Sequence, residues 1–256
     1  MNRIDQLFSK KKDHILNVYC TAGFPALHDT RRVMKALQAH GADMIELGIP
    51  FSDPLADGPV IQQSSKQALD NGMTLKLLFE QLKDFRDEIH LPVLLMGYLN
   101  VVMQYGAEKF VQDCVQTGID GVILPDLPAD EYKTVYEPLF KKHGLHAVFL
   151  ITPETSEERV RVIDAASSGF LYMVSSSSTT GRNKDISLQE NYFKRIHQMQ
   201  LKNPTLVGFG IRDHDSFEQA CKYTNGAIIG TAYIQALQSG DDVDMATKKF
   251  IERIIT

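Results

Sequence analysis

The sequence predicts an α/β fold, a single (β/α)8 TIM barrel in one domain over residues 1–256, and three observations carry that expectation. Eight short apolar, β-rich runs alternate with helical stretches along the chain. Parallel strands need both faces covered and helical crossovers between them, which such alternation supplies. The 256 residues, 43% of them hydrophobic, suit one sizeable core better than two enzyme domains. An open doubly wound sheet is the competing architecture. Against it, no G-x-G-x-x-G follows the first strand, where the turn reads Thr21-Ala22-Gly23-Phe24-Pro25.

After an amphipathic opening segment, His14–Cys20 is the first strand, stopped by that Gly-Phe-Pro turn. Asp29 is placed to cap a helix over Thr30–His40, in which Val33, Met34 and Leu37 recur at helical spacing and Gly41 terminates. Met44–Gly48 is the second strand. An acidic, proline-rich loop follows it, then helical material over Val60–Asp70 and Leu75–Glu88. Pro92–Met96, Gly121–Leu124, Leu145–Ile151, Phe170–Ser175, Thr205–Gly208 and Ala227–Ile229 complete the strands. Helices over Ala107–Gln116, Ala129–His143, Glu157–Ala166, Ser187–Gln200, Asp213–Lys222 and Met245–Ile255 fill the spaces. Thr155 or Ser156 caps the helix at Glu157, with Glu158 placed for a capping box.

Composition narrows the partners. Net charge is -5 and the basic residues are scattered. The runs Ser9-Lys10-Lys11-Lys12 and Lys141-Lys142-His143 are short enough to be solvated faces, so no nucleic acid is expected. No apolar run reaches the roughly 18 residues of a membrane span, and the amino terminus lacks a continuous apolar h-region. A cytoplasmic protein without a membrane partner is expected. Cys20, Cys114 and Cys221 lie far apart in apolar surroundings and read as reduced, buried thiols. His143 and His146 straddle Gly144, a helix-ending arrangement rather than a metal pair, and no metal is expected.

In a barrel the chemistry sits at the carboxyl ends of the strands. Glu46 lies near one such end, and Asp53 and Asp57 follow in a loop stiffened by Pro50, Pro54 and Pro59. A strand-borne Glu46 projecting into the barrel mouth is partly desolvated, which raises a carboxyl pKa and makes it usable as both acid and base. Asp57, on the loop, meets a different environment and stays ionised. The bland alternative pairs Glu46 with a core lysine and leaves the aspartates to cap turns. A second constellation spans the last three strand ends: Ser177-Ser178-Thr179-Thr180-Gly181, Gly208-Phe209-Gly210 and Gly226 to Ala232. Glycines there let backbone N–H groups approach an anion, and a short helix opening at Gly230-Thr231 aims its positive end at the same point. A small phosphorylated substrate anchored at strands seven and eight then reaches Glu46. Tyr19, Phe24, Leu95, Ile123 and Tyr172 stand near other strand ends as candidate apolar lining. No strand-end lysine resembles a Schiff-base site.

The run Glu46-Leu47-Gly48-Ile49-Pro50-Phe51-Ser52-Asp53-Pro54-Leu55-Ala56-Asp57-Gly58-Pro59 closely resembles the signature of the tryptophan synthase α-subunit family. Thr21 to Pro25, Met96-Gly97-Tyr98-Leu99-Asn100, Gly121 to Pro128, Gly208 to Ile211 and Ile228 to Ala232 extend the resemblance over nearly the whole chain. It implies a retro-aldol lyase that cleaves indole-3-glycerol phosphate to indole and glyceraldehyde 3-phosphate. Glu46 matches the family's general acid–base and Asp57 the acceptor of the indole N–H. Gly181, Gly210, Gly230 and Thr231 match phosphate-binding positions. Tyr172 and Thr180 match positions beside the substrate, Tyr19 and Ile123 the indole pocket, and Phe209 joins that lining. The resemblance also implies a heterotetramer of two α and two β chains. Pro50, Phe51, Asp53 and Asn100 match the surface facing the β subunit, which carries pyridoxal phosphate; this chain has no cofactor site of its own. One departure is the serine run Ser175 to Ser178 before Thr179-Thr180-Gly181, expected to stiffen that loop. A mainly allosteric activating subunit, or a free-standing indole-releasing lyase, are the alternatives on the same scaffold.

Overall fold

The computed structural model describes residues 1–175, 186–208 and 210–256. The strands are β1 (Ile15–Thr21), β2 (Met44–Gly48), β3 (Val93–Met96), β4 (Gly121–Ile123), β5 (His146–Ile151), β6 (Leu171–Val174), β7 (Thr205–Gly208) and β8 (Gly226–Ile229). Each runs parallel to the next, and β8 returns to β1, so the sheet is a closed barrel in sequence order. Around it lie α1 (Arg3–Lys10), α2 (Thr30–His40), α3 (Pro59–Asp70), α4 (Leu75–Gln81), α5 (Leu99–Tyr105), α6 (Ala107–Thr117) and α7 (Ala129–Glu131). They are followed by α8 (Glu137–His143), α9 (Glu157–Ala166), α10 (Ile186–Gln198), α11 (His214–Cys221), α12 (Thr231–Leu237) and α13 (Val243–Ile255).

The two-residue period of the strands sorts their side chains into two packed regions. Ile15, Met44, Leu94, Ile123, Val148, Tyr172, Leu206 and Ile228 point into the barrel and pack together. The alternate residues, Val18, Ile45, Leu95, Val122, Ala147, Met173, Val207 and Ala227 among them, face the helices. Two residues of α1, Ile4 and Phe8, join the interior set and close the amino end of the barrel. Each such side chain contributes on the order of 1.5–3 kcal/mol by leaving water. The plug leaves the carboxyl end as the open mouth.

Polar groups fasten the closed end. Asp120, 2% exposed, accepts from the Arg3 and Arg86 guanidinia at 3.1 and 2.5 Å and from the Val93 N–H at 2.9 Å. Asn2 adds a bond to the Asp120 carbonyl at 2.8 Å. His146 opens β5 and its Nε2 lies 2.9 Å from Asp5 Oδ1, so it belongs to this fastening rather than to a helix end. Gly144 alone ends α8, in the left-handed conformation at φ 66°.

Several boundaries differ from the sequence expectation. The stretch Leu75–Glu88 is two pieces, because Asp84 turns left-handed at φ 57° and leaves a 3-10 turn over Phe85–Asp87. Ala129–His143 contains a π-helical turn, Tyr132–Tyr136. Pro138 supplies the reason: it lacks an N–H and crowds the carbonyl four residues back, so the preceding turn widens. The widened turn buries Tyr132, whose ring centroid lies 5.6 Å from that of Phe140 and 5.1 Å from that of Phe149. Asp29 spends its carboxylate on the Ala26 N–H at 3.2 Å instead of on α2. Ser156 caps α9 through the Arg159 N–H at 3.3 Å, and Glu158 falls one residue short of the box position. The helix α5 had no counterpart in the sequence reading.

Candidate active site

The inward face of β1 and β2 carries the centre of the site. Inward alternation from Ile15 brings Asn17 and Tyr19 into the barrel, and from Met44 it brings Glu46 and Gly48. Glu46 is 1% exposed and sits at the middle of its strand, one side-chain layer deeper than a strand end. Among the described residues no lysine pairs with it. Its hydrogen-bond partner among them is the Asn17 amide, whose Nδ2 donates to Oε2 at 3.2 Å. Glu46 Oε1 meets no hydrogen-bond partner among the described residues. Burial pushes its carboxyl up to about 8, the Asn17 bond opposes that rise, and the Asp57 charge adds to it. Near neutral pH Glu46 therefore holds its proton.

Asp57 is half-buried on the loop between β2 and α3. Burial raises it to about 6, and the Tyr98 hydroxyl, donating to Asp57 Oδ2 at 3.3 Å, pulls the other way. At pH 7 it is ionised. The two carboxyl groups thus stand in opposite protonation states on one mouth, as acid–base work requires.

Two tyrosines wall this centre. Burial and then the Asp57 charge raise Tyr19 far above the ordinary phenol value, and burial followed by the Glu46 charge does the same to Tyr172. A Cβ built on Gly48 falls 2.1 Å from the Tyr19 hydroxyl, and one built on Gly208 falls 2.3 Å from the Tyr172 hydroxyl. Only glycine at those positions lets the rings lie flat across the neighbouring strand. Ile123, fully buried, floors the same interior. Phe24 and Leu95 do not join it. They pack in the outer layer against the helices, because Leu95 alternates away from inward Leu94.

The glycine set after β7 and β8 is brought to the same end. Gly210, at φ 80°, follows β7 and lies close enough to β6 that an added Cβ would stand 3.9 Å from Ser175 Oγ. Gly230 follows β8, packs against Tyr19 and precedes Thr231, the first residue of α12. The first N–H groups of a helix have no partner within it. Gly181, Thr180 and the rest of the serine-rich loop from 176 to 185, and Phe209, lie outside the described residues.

On the rim, Asp53 and Asn100 are exposed, Phe51 is half-buried with its ring centroid 5.1 Å from that of Tyr98, and Pro50 is buried. Pro50 thus supports the loop from beneath rather than presenting surface. Leu55 is 88% exposed and Met103 61%, which leaves apolar surface beside those polar residues. Tyr98 ties the rim together, since its oxygen also accepts from the Ala56 N–H at 3.1 Å. Sequence reasoning passed over Tyr98 and Asn17. A polar residue at an inward position of an apolar strand was the available signal for Asn17.

Among the described residues no group of three His, Cys, Asp or Glu is placed to hold a metal ion. The three cysteines are buried and unlinked. No helix there is long and apolar enough to cross a membrane.

Fold and site together define a (β/α)8-barrel enzyme with a buried, proton-holding carboxyl group sunk in its mouth. The family model for the tryptophan synthase alpha chain matches residues 5–254. The tryptophan synthase alpha chain of Parabacteroides distasonis is 54% identical over 255 residues, covering 99% of each chain. The crystal structure of the Legionella pneumophila tryptophan synthase subunit alpha superposes with a TM-score of 0.90 at 35% identity, covering 100% of this chain and 97% of that one. A tryptophan synthase structure from M. tuberculosis, in its aminoacrylate-bound form, aligns with a TM-score of 0.86 at 27% identity over 99% of this chain and 100% of that one. The chain belongs to the tryptophan synthase alpha chain family, and its activity is that family's lyase half-reaction.

Proposed function

We propose that residues 1–256 act as one domain cleaving indole-3-glycerol phosphate to indole and glyceraldehyde 3-phosphate. The observation that carries the proposal is the pair of carboxyl groups, Glu46 raised to about 8 and Asp57 to about 6. Retro-aldol cleavage needs one proton delivered to indole C3 and one removed from the glycerol hydroxyl beside the breaking bond. A carboxyl group protonated at neutral pH gives the first and, once ionised, takes the second, so Glu46 ends the cycle as it began. Protonation at C3 leaves positive charge on the ring. The ionised Asp57 meets that charge as acceptor of the indole N–H. Tyr19, Ile123, Tyr172 and Phe209 are read as the indole pocket, with Thr180 beside the substrate. Gly181, Gly210, Gly230 and Thr231 are read as the phosphate cradle.

A tryptophan synthase β subunit is the partner that the family implies. Two α and two β chains form the proposed assembly, with pyridoxal phosphate on β and indole passing between them in the cytoplasm. Phe51, Asp53 and Asn100, with exposed Leu55, are the proposed docking rim, and Pro50 holds that rim from below. The test is indole release by Glu46→Gln, with and without the β subunit. Loss of turnover with substrate still bound is expected; undiminished turnover overturns the assignment of Glu46.

A further inference from the structure

Asn17 is an amide in an apolar strand, fully buried inside the barrel. Its Nδ2 donates to Glu46 Oε2 at 3.2 Å, while its own Oδ1 meets no hydrogen-bond partner among the described residues. An unpartnered buried acceptor costs about 1–3 kcal/mol. Its register neighbours, Met44 on β2 and Ile228 on β8, are apolar, and a leucine there would pack among them without that cost. The amide thus stands against the interest of stability, at a single contact, and that contact is the carboxyl group read here as the acid–base.

We propose that Asn17 is a positioning residue for Glu46, fixing Oε1 as the oxygen that carries and exchanges the proton. The inference rests on the reading of Glu46 as the acid–base group. A side-chain amide nitrogen donates only, so the oxygen facing it must accept. Glu46 Oε2 meets that demand whether it is the carbonyl oxygen of the neutral acid or one oxygen of the carboxylate. A carbonyl oxygen accepts better than an acid's hydroxyl oxygen, so the bond favours the proton on Oε1, which has no partner among the described residues. The amide bond also strengthens when Glu46 ionises, because a charged acceptor makes the stronger bond. It thereby limits how tightly a buried carboxyl group holds its proton. No proton passes through Asn17; one leaves Glu46 Oε1 for the substrate carbon and one returns from the substrate hydroxyl.

The groups facing Glu46 leave this effect legible. From β1, Tyr19 and Cys20 feel its charge, from β6 Tyr172, and from the following loop Asp57. Burial, aided by Glu46, pushes Cys20 up to about 12, and the two phenols stand well above their ordinary value, so all three stay neutral over the working range. Among the described groups facing Glu46, Asp57 is the one other that changes charge, and it does so on the acid side.

The test measures the pH profile of kcat for indole release from indole-3-glycerol phosphate by the chain assembled with its β subunit. Wild type, Asn17→Leu, Asn17→Ser and Glu46→Gln are compared. In Asn17→Leu the donor is gone, so kcat at pH 7 falls about tenfold while KM stays within about twofold. The alkaline limb, where Glu46 gives up its proton, moves to higher pH. Asn17→Ser, too short for the direct bond, moves it the same way and serves should the leucine variant not fold. A folded Asn17 variant with an unmoved limb and wild-type kcat, beside an inactive Glu46→Gln, overturns the inference alone. Wild-type turnover in Glu46→Gln overturns the reading of Glu46 and the inference with it.

Discussion

The two ends of the barrel each bury a carboxyl group, and they treat it in opposite ways. At the closed end Asp120, 2% exposed, faces two guanidinia and a backbone N–H. At the open end Glu46, 1% exposed, has one neutral amide and an oxygen with no partner among the described residues. Equal burial therefore does not mean equal role. A carboxylate bonded to two guanidinia serves as a fastening, whereas a carboxyl group starved of partners is held protonated and is available for chemistry.

The largest expected effect is at the open end. Glu46→Gln keeps the shape and removes the exchangeable proton, so kcat for indole release falls roughly 10⁴-fold, the upper range for losing a general acid–base. Steady-state kinetics checks this, and circular dichroism confirms that the fold is kept. At the closed end the consequence reverses. Asp120→Ala leaves Arg86, already lowered to about 10 by burial despite the Asp120 charge, without its anion. Stability drops by about 3–5 kcal/mol, the usual cost of orphaning a buried charge. Urea unfolding measures that loss, and activity per folded molecule stays near the wild-type value.

The pH dependence of stability sharpens the contrast further. Folding raises Glu46 from 4.5 to about 8, so the folded chain binds more protons than the unfolded one between those values. The contribution is complete below the unfolded pKa and is lost as pH rises through the folded one. Wild type is therefore expected to lose stability relative to Glu46→Gln, on the order of 3 kcal/mol between about pH 5 and pH 9. Paired urea titrations across that range read the difference. A smaller effect follows at Asp57: Asp57→Asn removes the charge proposed to meet the protonated indole, and kcat is expected to fall roughly 10²-fold with a modest change in KM. Smallest is Tyr98→Phe, which deletes the bond that holds Asp57 down. The acid limb of the rate profile then moves to higher pH.

How far the sequence reached follows the same division between ends. Every strand was legible, because β-rich apolar runs bounded by glycine and proline report local conformation directly. Glu46 and Asp57 stood out as candidates through the family signature and through acids on and just after an apolar strand, though Glu46 lies at the middle of β2 rather than at its end. What escaped depended on contacts across the chain. The π turn at Tyr132–Tyr136 answers to Pro138 and to the packing of Tyr132 on Phe149, neither of which a helical period reports. Asp29 looked like a cap until Ala26 claimed its carboxylate. Asn17 and Tyr98 gained their importance from partners 29 and 41 residues away. The lining expectation failed at Leu95 for the plainest reason, a shift of one residue in a two-residue period.

The difference between the two buried carboxyl groups is tested most directly by the titration of Glu46 itself. Carbon-13 carboxyl NMR of the glutamate-labelled chain, with the Glu46 resonance assigned by its loss in Glu46→Gln, follows that group through the full pH range. A midpoint near 8 is expected, with the proton held at neutral pH. A midpoint at the ordinary glutamate value of about 4.3 would contradict the account, because Glu46 would then be ionised at neutral pH and have no proton to give.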